Sequence, residues 1–185
     1  MKRIESELLP PKIYLEDYSG DYKRYIEAVY DVFDADFVKY HPCFGKHRLG
    51  LKRHPEFQHR AYTFYHMTHK GEVESERIPD LRRCECMPWG KPTVERTEEY
   101  ALRFWEQERK GKHRICIWLA VEDGTDYFFI IDVRKTFLLP WTAFVSEHPH
   151  ELRKKEKEYK RWLEQPGNRE HTPDSLVQKI MDDLA

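Results

Sequence analysis

The chain has 185 residues, enough for one domain that buries roughly 70% of its unfolded surface without needing a disulfide or a structural metal. Its 32 Lys and Arg against 33 Asp and Glu leave a formal net charge of −1, so no global charge draws it to a polyanion, and 14% aromatic content excludes a disordered chain. No apolar run reaches the ~20 residues of a membrane helix, no signal-peptide pattern opens the chain, and Cys43, Cys84, Cys86 and Cys116 are too sparse for a disulfide scaffold; a cytoplasmic protein with no membrane partner is expected.

Residues 1–18 read as an arm, because Pro10 and Pro11 stop a helix from running through. The segment after it is a helix: Tyr22, Tyr25, Ile26, Val29, Phe33 and Phe37 fall on one stripe, Ser19 or Asp21 can cap it, and "HPC" at residues 41–43 ends it. A basic stretch follows, with Lys46, Arg48, Lys52, Arg53 and Arg60 against Glu56 alone. "RAYTFYHM" reads as a strand, from its aromatic and β-branched residues. "IPDLRRCECMPW" then starts a helix capped by Asp80, held to about two turns by Pro88. "KPTVERTEEYALRFWEQERKGK" reads as a longer helix with Val94, Ala101, Leu102 and Trp105 inward and Gly111 at its end. Two β runs flank "EDGTD", an Asp-Gly hairpin signal, and "FLLPWTAFV" adds a third strand in which Pro140 marks an edge or a bulge. "HPHELRKKEKEYKRWLE" is a charged helix anchored by Leu152, Tyr159, Trp162 and Leu163. "QPGNREH" is a linker, and "TPDSLVQKIMDDL" is a short helix with Thr172 as its cap and Pro173 in its first position.

The expected fold is α+β: a small antiparallel sheet of four to five strands, helices mainly on one face, and a C-terminal helical tail. The expected divisions are an arm at 1–18, one domain at 19–164, and a linker with a short helix at 165–185.

The segment from Tyr65 to Trp89 concentrates histidines, acids, arginines and cysteines. Zinc is disfavoured: Cys84 and Cys86 point apart on a helix, His66 and His69 point apart on a strand, and structural zinc uses longer cysteine spacings. A structural reading makes His66 a satisfied core histidine and Cys84 a small apolar filler, with Arg77, Arg82 and Arg83 in surface pairs with Glu72, Glu74, Glu76 and Glu85. A chemical reading is metal-free phosphodiester cleavage, which needs a base, a cation for the phosphorane and an acid for the leaving oxygen. His66 on the strand, His69 on the turn, Arg77, Arg82 and Arg83 around the helix start, and Glu85 one turn later supply those types. Lys46, Lys52 and Arg53 would hold the substrate backbone.

At these residues the chain resembles the phage-borne nucleases grouped as barnase–EndoU–colicin E5/D–RelE-like. Their pattern is a histidine-bearing strand followed by R-x-P-D-x-x-R-x-E-R-I-x-W. Here "YHMTH" is followed by "ERIPDLRRCECMPW", matching at Arg77, Pro79, Asp80, Arg83, Glu85 and Trp89 and departing at Cys86, where arginine is usual, and at Met87. The resemblance covers about residues 20–150. It implies a metal-independent, cofactor-free ribonuclease, phage-related and toxin-like, acting on tRNA or ribosomal RNA, with an inhibitor protein as a further partner. In that scheme His66 is general acid or base with Glu85 as partner or alternative. Arg77 and Arg83 stabilise the phosphorane, the departure at Cys86 implies either weakened activity or Arg82 serving in place of the usual arginine, and Lys46, Lys52, Arg53 and His69 contact substrate. Trp89 and Trp141 are candidates for base stacking, although a core role suits both.

A non-enzymatic protein- or nucleic-acid-binding module on the same fold is the alternative. A nuclease needs His66 open to a concave basic pocket; an interaction module needs an exposed apolar patch. A nucleotide-modifying enzyme would show a glycine-rich phosphate loop, and none occurs.

Overall fold

A computed structural model describes residues 2–71, 73–109 and 111–185. Glu72, one of the acids expected to pair with the arginines, lies outside the described residues. Among the described residues no helix is long and apolar enough to cross a membrane.

Helix α1 (Tyr22–Phe33) forms where the apolar stripe predicts it. The Asp21 carboxylate accepts from the Arg24 N–H, and Tyr25, Ile26, Val29 and Phe33 are buried. The chain continues as a π-helical segment, Asp34–Tyr40, which carries Phe37 into the core and stops at His41 with a left-handed φ of 63°. A small hairpin, β1 (Cys43–Phe44) with β2 (His47–Arg48), follows.

The segment expected as a strand is helix α2 (Tyr62–Thr68). Seven residues are too few for hydrophobic period to separate helix from strand, and no side chain caps this helix locally. Its first N–H groups are satisfied from a distance: Tyr62 donates to the Arg53 carbonyl at 2.9 Å and Thr63 to the Lys52 carbonyl at 3.1 Å. Phe64 packs against Tyr30 and Phe33, with ring centroids 5.0 and 5.3 Å away. Tertiary partners thus override local β propensity.

A two-residue ladder then joins β3 (His69–Lys70) to β4 (Ile78–Pro79). Helix α3 (Leu81–Glu85) begins at Asp80, whose side chain accepts from the Arg83 N–H, and a 3-10 turn at Met87–Trp89 leads into α4 (Gly90–Glu95). The long helix expected over 91–111 does not form. Ala101 adopts a left-handed φ of 50°, and residues 103–109 become strand β5 (Arg103–Arg109). Seven residue pairs in the ladder with β6 (Lys112–Ala120) outweigh the helical preference of its Glu, Gln and Arg residues.

β6, β7 (Asp126–Val133) and β8 (Leu138–Val145) complete an antiparallel sheet of order β5-β6-β7-β8. The β6–β7 turn is the Asp-Gly hairpin, and β8 is an edge strand with a register shift opposite Pro140 and Trp141. On one sheet face, Phe129 stacks on Phe37, 5.9 Å between centroids. The same face receives α4 and also α6 (Pro173–Asp183), whose Leu176, Val177 and Ile180 are buried. The opposite face carries α5 (Pro149–Leu163), with Tyr159 against Trp105. The arm is clamped on the domain: Ile4 donates to the Ala120 carbonyl, and the Trp89 indole donates to the Pro10 carbonyl at 2.9 Å.

Candidate functional site

Helix α2 lies along the β8 edge of the sheet, and its C-terminal end is where the predicted residues gather. Unsatisfied carbonyls at a helix C-terminus attract cations. Arg77 Nη1 donates to the His69 carbonyl at 3.2 Å. Arg83 Nη1 reaches the same carbonyl at 3.2 Å, the His66 carbonyl at 3.4 Å and the Thr142 hydroxyl at 3.1 Å. Thr142 in turn donates to the His66 carbonyl at 2.7 Å. Arg83 Nε lies 3.5 Å from the Asp80 carboxylate. Its guanidinium is therefore a staple between α2, α3 and β8, and burial pulls its pKa down from the ordinary arginine value.

His66 is only 4% exposed. Its ring lies between Tyr62, at 4.4 Å, and Trp141, at 4.8 Å. Its Nε2 meets the Glu74 carboxylate at 3.2 Å. Burial, and then the positive charge of Arg77, lower its pKa to about 4 against the opposing pull of Glu74, so the ring is neutral at pH 7. His69 is buried too, with Nδ1 2.8 Å from the Thr68 hydroxyl. Burial and the charges of Arg77, Arg60 and Arg83 take it to about 4 as well.

Glu74 is the residue that sequence reasoning treated only as a surface partner. Its side chain is half-exposed, and it accepts from the Tyr62 hydroxyl at 3.1 Å as well as facing His66. Arg77 Nε lies 3.8 Å away. Burial and the bond to Glu74 raise the Tyr62 pKa, which keeps it a phenol. Glu74, Tyr62, His69 and Arg77 line a cleft of about 440 Å³, together with Tyr65 and Phe57. No local motif flags Glu74; the turn after β3 brings it back over α2.

The other expected residues are placed as follows. Glu85 is on the far side of α3, toward Lys12 and Glu16, and burial raises its pKa; it does not partner His66. Arg82 is exposed, with Nε 3.8 Å from Glu147, and does not enter the cleft. Lys52 stands outside the cleft wall, its Nζ 3.6 Å from the Tyr62 ring centroid, and Arg53 is exposed on the same loop. Lys46 sits at the β1–β2 turn, where its N–H donates to Asp174 at the start of α6, apart from the cluster. Cys84 and Cys86 are buried thiols, with pKa values pushed up by burial to about 12, which removes thiolate chemistry at neutral pH. Trp89 is a core residue.

A second cleft, of about 380 Å³, opens between the α5 face of the sheet and the first turns of α5. Trp141 and Thr142 form part of its wall. Behind the first cleft, His66 packs at a tilt against Trp141, which links the two clefts. In comparison with known proteins, the chain matches no family model, no curated protein and no solved structure.

Proposed function

We propose that the cleft beside α2 is an RNA site of the ribonuclease class, where a phosphodiester is cleaved by acid–base chemistry without a metal, as the resemblance to the phage-borne nucleases implies. The observation that carries this reading is the convergence of Glu74, Tyr62, His69 and Arg77 on one cleft, with His66 directly behind Glu74. The half-exposed Glu74 carboxylate takes the proton of the ribose 2′-hydroxyl. The 2′-oxygen then attacks phosphorus while Arg77 donates to the non-bridging oxygens. The bond to the 5′-oxygen breaks, and the Tyr62 phenol gives that oxygen its proton, leaving a 2′,3′-cyclic phosphate. Glu74 and Tyr62 are hydrogen-bonded to each other at 3.1 Å, so the proton gained by one returns directly to the other. Two histidines with pKa values near 4 are poor acids at pH 7. His66 and Arg83 are therefore positioning residues in this scheme, one orienting Glu74 and the other fixing α2 on β8.

The second reading is binding without cleavage. It is favoured by the enclosure of His66 and Arg83 against Glu74 and Asp80, and by the exposure of Phe57, Val73, Ile78 and Leu81 on the segments around the cleft. The test is cleavage of a mixed tRNA and ribosomal RNA pool in excess EDTA. Wild type is expected to release fragments ending in 2′,3′-cyclic phosphate, and Glu74→Gln to lower the rate by about 100-fold or more. Undiminished cleavage by Glu74→Gln would overturn the assignment of the base. Gel-shifted RNA with no fragments from wild type would establish the second reading instead.

A further inference from the structure

The second cleft has a different chemistry from the first. Its inner wall is the sheet face of β6–β8. Arg114 projects there, with its guanidinium carbon 4.4 Å from the Trp141 ring centroid and Nε 3.6 Å from the buried Asp132 carboxylate. Asp132 also pairs with Arg134 at 2.7 Å, so its negative charge is shared between two guanidiniums. The opposite wall is α5, which contributes His150, Glu151, Lys154 and Lys155. Lys155 is engaged by Glu158 at 3.1 Å. Lys112 stands 5.8 Å over the same Trp141 ring. Among the described residues neither Lys112 nor Lys154 has a carboxylate within ion-pairing distance. Thr142 and Ser146 also line the recess. Glu151 is the acid that opposes them from the cleft rim.

This combination is a cationic recess with hydroxyl groups in its wall. Arg114 is pre-positioned by a carboxylate and a ring, and Lys112 and Lys154 add charge that, among the described residues, no acid pairs directly. Arginine held in this way presents a rigid fork to a phosphate, and lysine supplies mobile point charge. Trp141 already has the Arg114 guanidinium over its ring and His66 tilted against it, so the recess suits a backbone phosphate better than a stacked base. The recess is joined to the first cleft through His66, which touches Glu74 and also packs at a tilt on Trp141.

We infer that the recess lined by Arg114 and Lys154, with Lys112 beside it over Trp141, is a second anion subsite, which holds a neighbouring backbone phosphate of the RNA strand whose scissile group lies at Arg77. This rests on the RNA reading of the first cleft. The two can fail separately. The experiment is fluorescence anisotropy of a fluorescein-labelled twelve-residue oligouridylate in EDTA, titrated with the protein between 50 and 200 mM KCl. Wild type is compared with Lys112→Gln/Lys154→Gln, with Arg77→Gln, and with Lys39→Gln/Lys91→Gln. The last pair removes the same charge from the layer that covers the other sheet face. Each phosphate contact on a single strand contributes about 0.7 to the log–log salt slope. The recess variant is expected to lower the slope by roughly 0.7, the contribution of one phosphate, and to weaken binding at 200 mM less than at 50 mM. The control pair is expected to leave the slope near the wild-type value. A recess variant that matches the control pair, while Arg77→Gln loses affinity, would overturn the subsite and leave the first cleft standing. A wild type with no salt-dependent affinity would overturn both.

Discussion

The two imidazoles beside the cleft are held neutral by their surroundings, and this couples them to stability. A histidine in an unfolded chain titrates near 6.5, and His66 and His69 fall to about 4 in the fold. Between those values the unfolded chain binds more protons than the folded one. Stability is therefore complete above about pH 6.5, falls as pH drops toward 4, and levels off below it. The loss for the pair is expected to be on the order of a few kcal/mol. Urea unfolding at pH 7.5, 5.5 and 4.5 measures it, and the His66→Gln/His69→Gln variant should lose less stability over that range than wild type. Arg83 makes the complementary case. Arg83→Met would take one of two donors from each of the His66 and His69 carbonyls and remove the guanidinium beside Asp80, and is expected to cost about 1–3 kcal/mol at pH 7 by urea unfolding; a loss below about 0.5 kcal/mol would show that the staple is dispensable. The sequence shows the Asp21, Asp80 and Thr172 caps because each acts on an N–H three residues away. Glu74 is hidden because its partners lie twelve and eight residues back, across a turn whose path no local pattern encodes.

Among the elements, those with strong local signals form where the residues predict, and those set by distant partners do not. Helix α6 has a complete capping box between Thr172 and Ser175, Pro173 in its first turn, and three fully buried apolar anchors. Thr172→Ala is expected to destabilise by about 1 kcal/mol in thermal or urea unfolding. Helix α4 depends on a small residue: a Cβ at Gly90 would come within 2.9 Å of the Phe37 ring and 3.3 Å of the Phe129 ring. Gly90→Ala is expected to cost about 1–3 kcal/mol through overpacking, unless the Phe37 ring can retreat. Residues 62–68 and 103–109 exchange the roles that composition gives them. The first has β-prone side chains and becomes a helix, since carbonyls of Lys52 and Arg53 cap it. The second has helix-prone side chains and becomes a strand, since β6 offers it a full ladder. The main sheet keeps four strands because β5 takes the place of the strand expected at 61–68, while the helices rise to six among the described residues.

At the scale of the whole molecule, the sheet separates two functions of packing. One face is sealed by the π-helical segment, α4 and α6, and the other is only partly covered by α5, which leaves the second cleft. Removal of residues 172–185 would uncover the apolar face under Leu176, Val177 and Ile180. That truncation is expected to lose cooperative urea unfolding or to self-associate in gel filtration, and a monomer with wild-type stability would show that α6 is an appendage. The net charge of −1 conceals local differences: Arg83, Arg114 and Lys155 are paired with acids, while Lys52, Arg53, Lys112 and Lys154 have no acid at ion-pairing distance among the described residues. The sequence by itself determined the α+β class, the Asp-Gly hairpin, the edge character of β8, and the caps. Each of these is written in short-range pattern: period, turn chemistry, or a side chain within a turn of the N–H it caps. Only the tertiary structure decided which segment became the fourth strand, that Glu74 rather than Glu85 faces His66, and that Arg82 and Lys46 stand apart. Those outcomes depend on hydrogen bonds and burial between residues far apart in sequence, and such contacts have no local signature.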